Sequence, residues 1–143
     1  KKYIKKAKEA KAEFVVMLSK KDEENVNHAL AVEVSNSTFY FCAAKQTDDP
    51  EGNLLFKALA KVEFEHAIIW KKLLKLAELP KGNDTCFSKN KENLQESHNR
   101  ETRAIEFYKK AALDSDNNRV KQIFEALVEI ETDHLNLSGV RLR

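Results

Sequence analysis

Glu63-Phe-Glu-His66 and Glu131-Thr-Asp-His134 carry the same spacing of acid and imidazole, 68 residues apart. The register extends far beyond these two tetrapeptides. At the same offset of 68, Glu24 falls on Glu92, Glu33 on Glu101, and Phe39-Tyr40 on Phe107-Tyr108. Ala43-Ala44 falls on Ala111-Ala112, and Phe56, Ala58 and Leu59 fall on Phe124, Ala126 and Leu127, all without a gap. Alanine and leucine coincide easily between any two helical stretches. Two glutamates and a histidine rarely fall into one register as well, so the chain reads as two copies of a helical hairpin.

The surrounding pattern supports helices throughout. With only three Gly and two Pro in 143 residues, the chain lacks the turns an all-β fold requires. Helices are expected from about Asn25 to Gln46, Leu54 to Ala77, Lys91 to Leu113 and Arg119 to Val140. Asp48-Asp49-Pro50, Leu79-Pro80-Lys81-Gly82 and Asp114-Ser115-Asp116-Asn117 punctuate them. Tyr3, Ile4, Ala7, Phe14, Val15 and Leu18 among lysines predict a further short amphipathic segment. The expected organisation is therefore a basic N-terminal helical segment over 1–20 and an all-α four-helix bundle over 21–143. A 24-residue helix is about 36 Å long at 1.5 Å per residue. The linker from about Leu79 to Asn90 spans roughly 40 Å when nearly extended, enough to cross the bundle from end to end. Such a tight span also permits exchange of hairpins between two chains. A homodimer is expected, with side-by-side packing favoured over exchange.

Composition narrows the function. A net charge of +2 gives no basic surface of the kind that binds nucleic acid. No apolar run reaches the roughly 18 residues of a membrane span, and the basic start Lys1–Lys11 leads into mixed sequence rather than a secretory signal. Cys42 and Cys86 lack the C-x-x-C spacing of a rubredoxin or zinc ribbon. Cys42 reads as a buried thiol and Cys86 as a loop residue. A bond between them is the alternative, but reduced thiols in the cytoplasm are the preferred expectation.

Glu63 and His66, at i and i+3, project from one helical face, as do Glu131 and His134. That face is expected to carry Leu55, Leu59, Val62, Ile69, Leu73 and Leu76 in the first copy and Phe124, Leu127 and Leu137 in the second. Glu33 lies on the inward stripe between Leu30 and Tyr40, and Glu101 on the one between Leu94 and Tyr108. A single Glu-x-x-His usually belongs to a salt-bridged surface. Two copies, each with an inward Glu upstream, would put four carboxylates and two imidazoles at one level of a core. Unpaired carboxylates there are costly, and no Lys or Arg recurs at inward positions to neutralise them. Two divalent cations would balance the charge. One Glu from each of two helices plus Glu-x-x-His from each of the other two is the ligand set of di-iron and di-manganese bundles. Oxygen and imidazole donors suit iron, with manganese or a mixed pair as alternatives.

Three further residues share these faces. Tyr40 and Tyr108, each seven residues after the first Glu of its copy, are either core or hydrogen-bond donors to a ligand carboxylate. His98, three residues before Glu101, stands where the first copy has Leu30. It is read either as an extra ligand or as a hydrogen-bonding neighbour of the site. His28, Glu65 and Asp133 are expected in solvent, and Trp70 in the core or at an interface.

At these residues the chain resembles the rubrerythrin branch of the ferritin-like proteins, over about Val26 to Val140. Glu101-Thr-Arg-Ala-Ile-Glu-Phe-Tyr-Lys-Lys-Ala-Ala112 and Glu131-Thr-Asp-His134 are especially close. The resemblance implies a ferritin-like bundle with two carboxylate-bridged irons that reduces hydrogen peroxide to water. Glu33, Glu63 and His66 would form one half-site and Glu101, Glu131 and His134 the other, with two of the carboxylates bridging. His98 is a departure, because rubrerythrins carry there an additional Glu that accompanies iron movement between redox states. With no rubredoxin module read here, electrons would come from a separate donor such as a rubredoxin. The functions expected are a di-iron peroxidase or oxidase, acting on hydrogen peroxide or dioxygen, or a ferroxidase that handles iron. A bundle that keeps metal only for stability is a third reading.

Overall fold

A computed structural model describes residues 18–83 and 85–142. Among the described residues there are four helices: α1 (Lys20–Gln46), α2 (Pro50–Leu73), α3 (Asn90–Asp114) and α4 (Asn118–Leu142). No strand occurs among the described residues. The four-helix bundle expected from the repeat, and the ferritin-like arrangement implied by the resemblance, are what form, with α1 packed on α2, α3 on α4, and α1 against α3. The expected basic segment over 1–20 lies outside the described residues as far as residue 17. Ser19 caps α1 and Lys20 opens it.

Helix starts follow local chemistry. Ser19 Oγ accepts from the Asp22 amide at 3.0 Å, and Asp49 Oδ2 accepts from the Gly52 amide at 2.9 Å, with Pro50 in the first turn. Asn117 Oδ1 takes the amides of Arg119 and Val120. Each satisfies amides that a helix start leaves without intrahelical partners. These caps explain why α1 and α2 begin five and four residues earlier than apolar periodicity alone predicts. The α3 start has no side-chain cap of its own. Instead, Asp48 from the α1–α2 turn accepts from the Asn90 amide at 3.2 Å, and Thr47 Oγ1 donates to Asn90 Oδ1 at 2.7 Å. At the other end, Asp22 near the start of α1 accepts from the Asp116 amide in the α3–α4 turn. Asp22 and Asn90 are equivalent in the repeat, so each hairpin starts by gripping the turn of the other.

The α2 helix ends four residues before the expected Ala77. Lys75 adopts a left-handed φ of 56°, while its amide donates to Lys72 O and that of Leu76 to Lys71 O. This is a Schellman stop built on a residue with a Cβ. Leu76, expected on the inward face, is consequently exposed.

The segment after α2 crosses the whole bundle, as its length allows. Leu79 packs at the end of the core where α2 stops, Gly82 lies against Thr38 of α1, and Ser88 O accepts from the Asp48 amide beside the start of α3. Cys86 within this crossover is bonded to Cys42 of α1, with Cα atoms 5.9 Å apart. The expectation of free thiols is therefore wrong. The crossover runs along α1 and brings together two cysteines whose spacing in sequence carries no such signal. The pairing also withdraws cysteine usage as a reason to favour a reducing compartment. No helix among the described residues is long and apolar enough to cross a membrane.

The core divides into two apolar clusters. One is built around Val26, Trp70, Tyr108, Val120 and Phe124, the other around Phe39, Tyr40, Phe56, Leu59 and Leu94. Tyr40 stacks on Phe56 and Tyr108 on Phe124, the same pair in each copy of the repeat. Ile69 and Leu137, expected inward, are about half exposed, at 47% and 50%. Each step of three residues turns a helix back by about 60°, so two such steps carry Ile69 about 120° from Glu63. Ala67 and Trp70 of α2, and Ser138 of α4, are the buried residues instead.

Two substitutions test this account. Lys75→Gly should raise stability by about 1 kcal/mol in urea denaturation, because glycine enters the left-handed region without a Cβ penalty. Gly82→Ala should lower stability by about 1–3 kcal/mol, because the added Cβ would stand 2.9 Å from Thr38 Cβ and lift the crossover from α1. An unchanged denaturation midpoint in either variant would contradict the corresponding packing.

Candidate metal centre

Between the two apolar clusters lies a polar layer. Glu33 of α1, Glu63 of α2, Glu101 of α3 and Glu131 of α4 are each fully buried. His66 and His134 are 8% exposed and are the only members of the layer that touch solvent. The sequence puts one glutamate on each inward stripe, and the interlocked turns set all four helices at a common level.

The spacing within the layer separates shared from unshared ligands. His66 Nδ1 stands 3.5 Å from Glu33, 3.8 Å from Glu63 and 3.8 Å from Glu131. His134 Nδ1 stands 3.3 Å from Glu63, 3.5 Å from Glu131 and 3.9 Å from Glu101. Two overlapping sets result: Glu33, Glu63, His66 and Glu131, and Glu63, Glu101, Glu131 and His134. Within each set one ligand atom per residue lies within 4.8 Å of the others. Glu63 and Glu131 belong to both. Of the four carboxylates, these are the two arranged to bridge, while Glu33 and Glu101 each face one side.

The tyrosines hold the unshared pair. Tyr40 donates to Glu101 Oε1 at 2.5 Å, and Tyr108 donates to Glu33 Oε1. Each tyrosine thus supports the glutamate of the other hairpin. Burial, then the neighbouring carboxylates, pushes both phenols well above their ordinary pKa, so they remain donors. Tyr40 also meets Ser97 Oγ at 2.8 Å, and Ser97 meets Ser138 at 3.1 Å. Neither serine stands out in the sequence as a site residue. The signal available was their departure from the repeat, since Ser97 stands opposite Ala29 and Ser138 opposite Trp70.

His98 behaves otherwise than expected. It is half-buried, belongs to neither set, and its Nδ1 is buried without a hydrogen-bond partner. Its position three residues before Glu101 turns it about 60° off the line to the cluster. His28, Glu65 and Asp133 are exposed, with His28 edge-on to Phe107.

Left to itself, the layer is unsatisfied. Glu33 Oε2, both oxygens of Glu63 and Glu131, Glu101 Oε2 and both imidazole Nδ1 atoms are buried without a hydrogen-bond partner. Burial pushes Glu63 well above the carboxylate range. Burial, then contact with Glu131, takes Glu101 to about 10. Burial takes Glu131 to about 7. For His66 and His134 burial acts downward, but the surrounding carboxylates outweigh it and both end up raised. Buried, unpartnered oxygen and nitrogen atoms converging in two sets fit two divalent cations. Glu33 and His66 would hold one, Glu101 and His134 the other, and Glu63 and Glu131 both.

The rubrerythrin family model matches residues 24–138, which takes in every residue of the layer. No curated protein matches the chain.

These shifts fix the sign of a pH effect. A carboxylic acid with a raised folded pKa contributes stability that is complete below its unfolded value, near 4.5, and lost as pH rises through the folded value. Raised histidines act in the same direction. The metal-free chain should therefore unfold at progressively lower temperature between about pH 5 and pH 9. Added divalent metal should displace the protons and stabilise most at the alkaline end. Thermal melts across that range, with chelator or with metal, check both halves. A metal-free melting point that climbs toward pH 9 would contradict the protonated layer.

Proposed function

Because the chain belongs to the rubrerythrin family, we propose that it is a non-haem di-iron oxidoreductase that reduces hydrogen peroxide, or dioxygen, with electrons from a separate donor such as a rubredoxin. The observation that carries this reading is the sharing of Glu63 and Glu131 between two glutamate–histidine corners. Shared carboxylates of this kind would hold two metals side by side, as in two-metal sites. When bound, a ferrous pair would supply two electrons and polarise an O–O bond.

The protein's own residues do the rest. Tyr108 and Tyr40 each hold one oxygen of Glu33 and Glu101, and the second oxygen of each glutamate stays buried without a hydrogen-bond partner. The apolar clusters above and below the layer keep it dry, which strengthens every charge interaction inside it. The two imidazoles, each 8% exposed, are the members of the layer nearest to solvent. Val62 and Ile69 flank His66 at i−4 and i+3, and Ile130 and Leu137 flank His134 in the same way. An apolar rim of this kind admits a small neutral molecule more readily than an anion. A homodimer belongs to this reading, each chain completing its own layer without exchange of hairpins.

A ferroxidase or iron-handling role is the second reading, and His98 favours it. In the resemblance, the residue at this place is an extra carboxylate that accompanies iron movement, whereas His98 stands outside both ligand sets.

Protein loaded with ferrous iron and exposed separately to the two oxidants distinguishes them. Hydrogen peroxide should oxidise it much faster than dioxygen, as followed by absorbance in a stopped-flow instrument. Equal or faster reaction with dioxygen would make the ferroxidase reading the better one. Glu63→Ala and Glu131→Ala should each abolish turnover. Glu65→Ala should leave it nearly intact, because that side chain is exposed.

A further inference from the structure

The two halves of the layer are built from a repeat, yet one feature lacks a counterpart. Tyr40 has a second partner, Ser97 Oγ at 2.8 Å, and Ser97 in turn meets Ser138 Oγ at 3.1 Å. Ser97, Ser138 and Tyr40 are all fully buried. On the other side, Tyr108 donates to Glu33, but Ala29 and Trp70 occupy the equivalent places and carry no hydroxyl. Trp70 Nε1 is itself buried without a partner, so the indole does not substitute for the missing serines.

We propose that Ser97, supported by Ser138, is a positioning residue that makes the two metal positions unequal, with the position bounded by Glu101 and His134 the tighter. The chemistry fixes the direction of the chain. A metal-bound carboxylate only accepts, so the single Tyr40 hydrogen goes to Glu101. The Tyr40 oxygen is then free to accept from Ser97, whose oxygen accepts from Ser138. Each accepted bond polarises the next donor in a dry interior, so Tyr40 grips Glu101 more firmly than Tyr108 grips Glu33. A ligand held in place by outer partners binds its metal better, and loss of such a partner costs about 10-fold or more in affinity.

This inference rests on the reading of the layer as a two-metal site, but not on any redox activity. Metal-free protein titrated with cobalt(II) alone, followed by visible absorbance and calorimetry, tests it. Wild-type protein should load in two steps whose affinities differ by about 10-fold. His134→Asn should remove the tighter step, and His66→Asn the weaker. Ser97→Ala, which recreates the Ala29 environment, should bring the two steps together, while Ser97→Thr, which retains the hydroxyl, should keep them apart. If Ser97→Ala does not fold, Ser138→Ala carries the test and should narrow the gap by a smaller factor. Two equal affinities in the wild-type protein, a gap that survives Ser97→Ala, or a gap that its substitute Ser138→Ala leaves at the wild-type width, would overturn the proposal. Failure to bind two cobalt ions at all would instead remove the two-metal reading beneath it.

Discussion

Everything in this bundle is arranged around the cost of burying four carboxylates in one layer. Glu33, Glu63, Glu101 and Glu131 are out of reach of water, and the nearest nitrogens are two imidazoles rather than lysines or arginines. The charged form of such a group is disfavoured by several kcal/mol when no counter-charge is near. The layer therefore either keeps protons, as the raised Glu101 and Glu131 do, or takes up cations. Protons and metals compete for the same oxygens, which couples metal content to both pH and stability.

A layer of this kind needs a frame that resists collapse or splaying. The two apolar clusters on either side of it supply the burial, and their separation follows from the polar layer between them. Register comes from the ends. Asn90 on the Thr47–Asp49 turn and Asp22 on the Ser115–Asn117 turn lock each hairpin to the other. The Cys42–Cys86 bond ties the crossover to α1. Small slips of one helix along another would move a ligand away from its set, so these contacts at the ends bear on the chemistry at the centre.

Duplication supplies the symmetry of the centre, and departures from it supply the differences. The pairs Tyr40–Phe56 and Tyr108–Phe124 are equivalent, as are the two histidines. Ser97 and Ser138 against Ala29 and Trp70, and His98 against Leu30, are not. His98 carries a familiar ligand side chain, yet it stands outside both ligand sets. The serines carry no such mark in the sequence, although they reach the site through Tyr40.

The helical class, the duplicated hairpin, the crossover length and the six residues of the layer are legible in the order of amino acids alone. Those features are written in local periodicity and in a repeat of residues whose burial is expensive, so no knowledge of partners is needed to read them. Packing of the helices and the crossover set which carboxylates are shared, that each tyrosine serves the opposite hairpin, and that Cys42 meets Cys86. It also placed Ile69 and Leu137 at the surface and stopped α2 at Leu73. These depend on distances across helices and on a few tens of degrees of rotation about an axis. Sequence spacing fixes which residues share a helical face, but not how far that face is turned toward its neighbours.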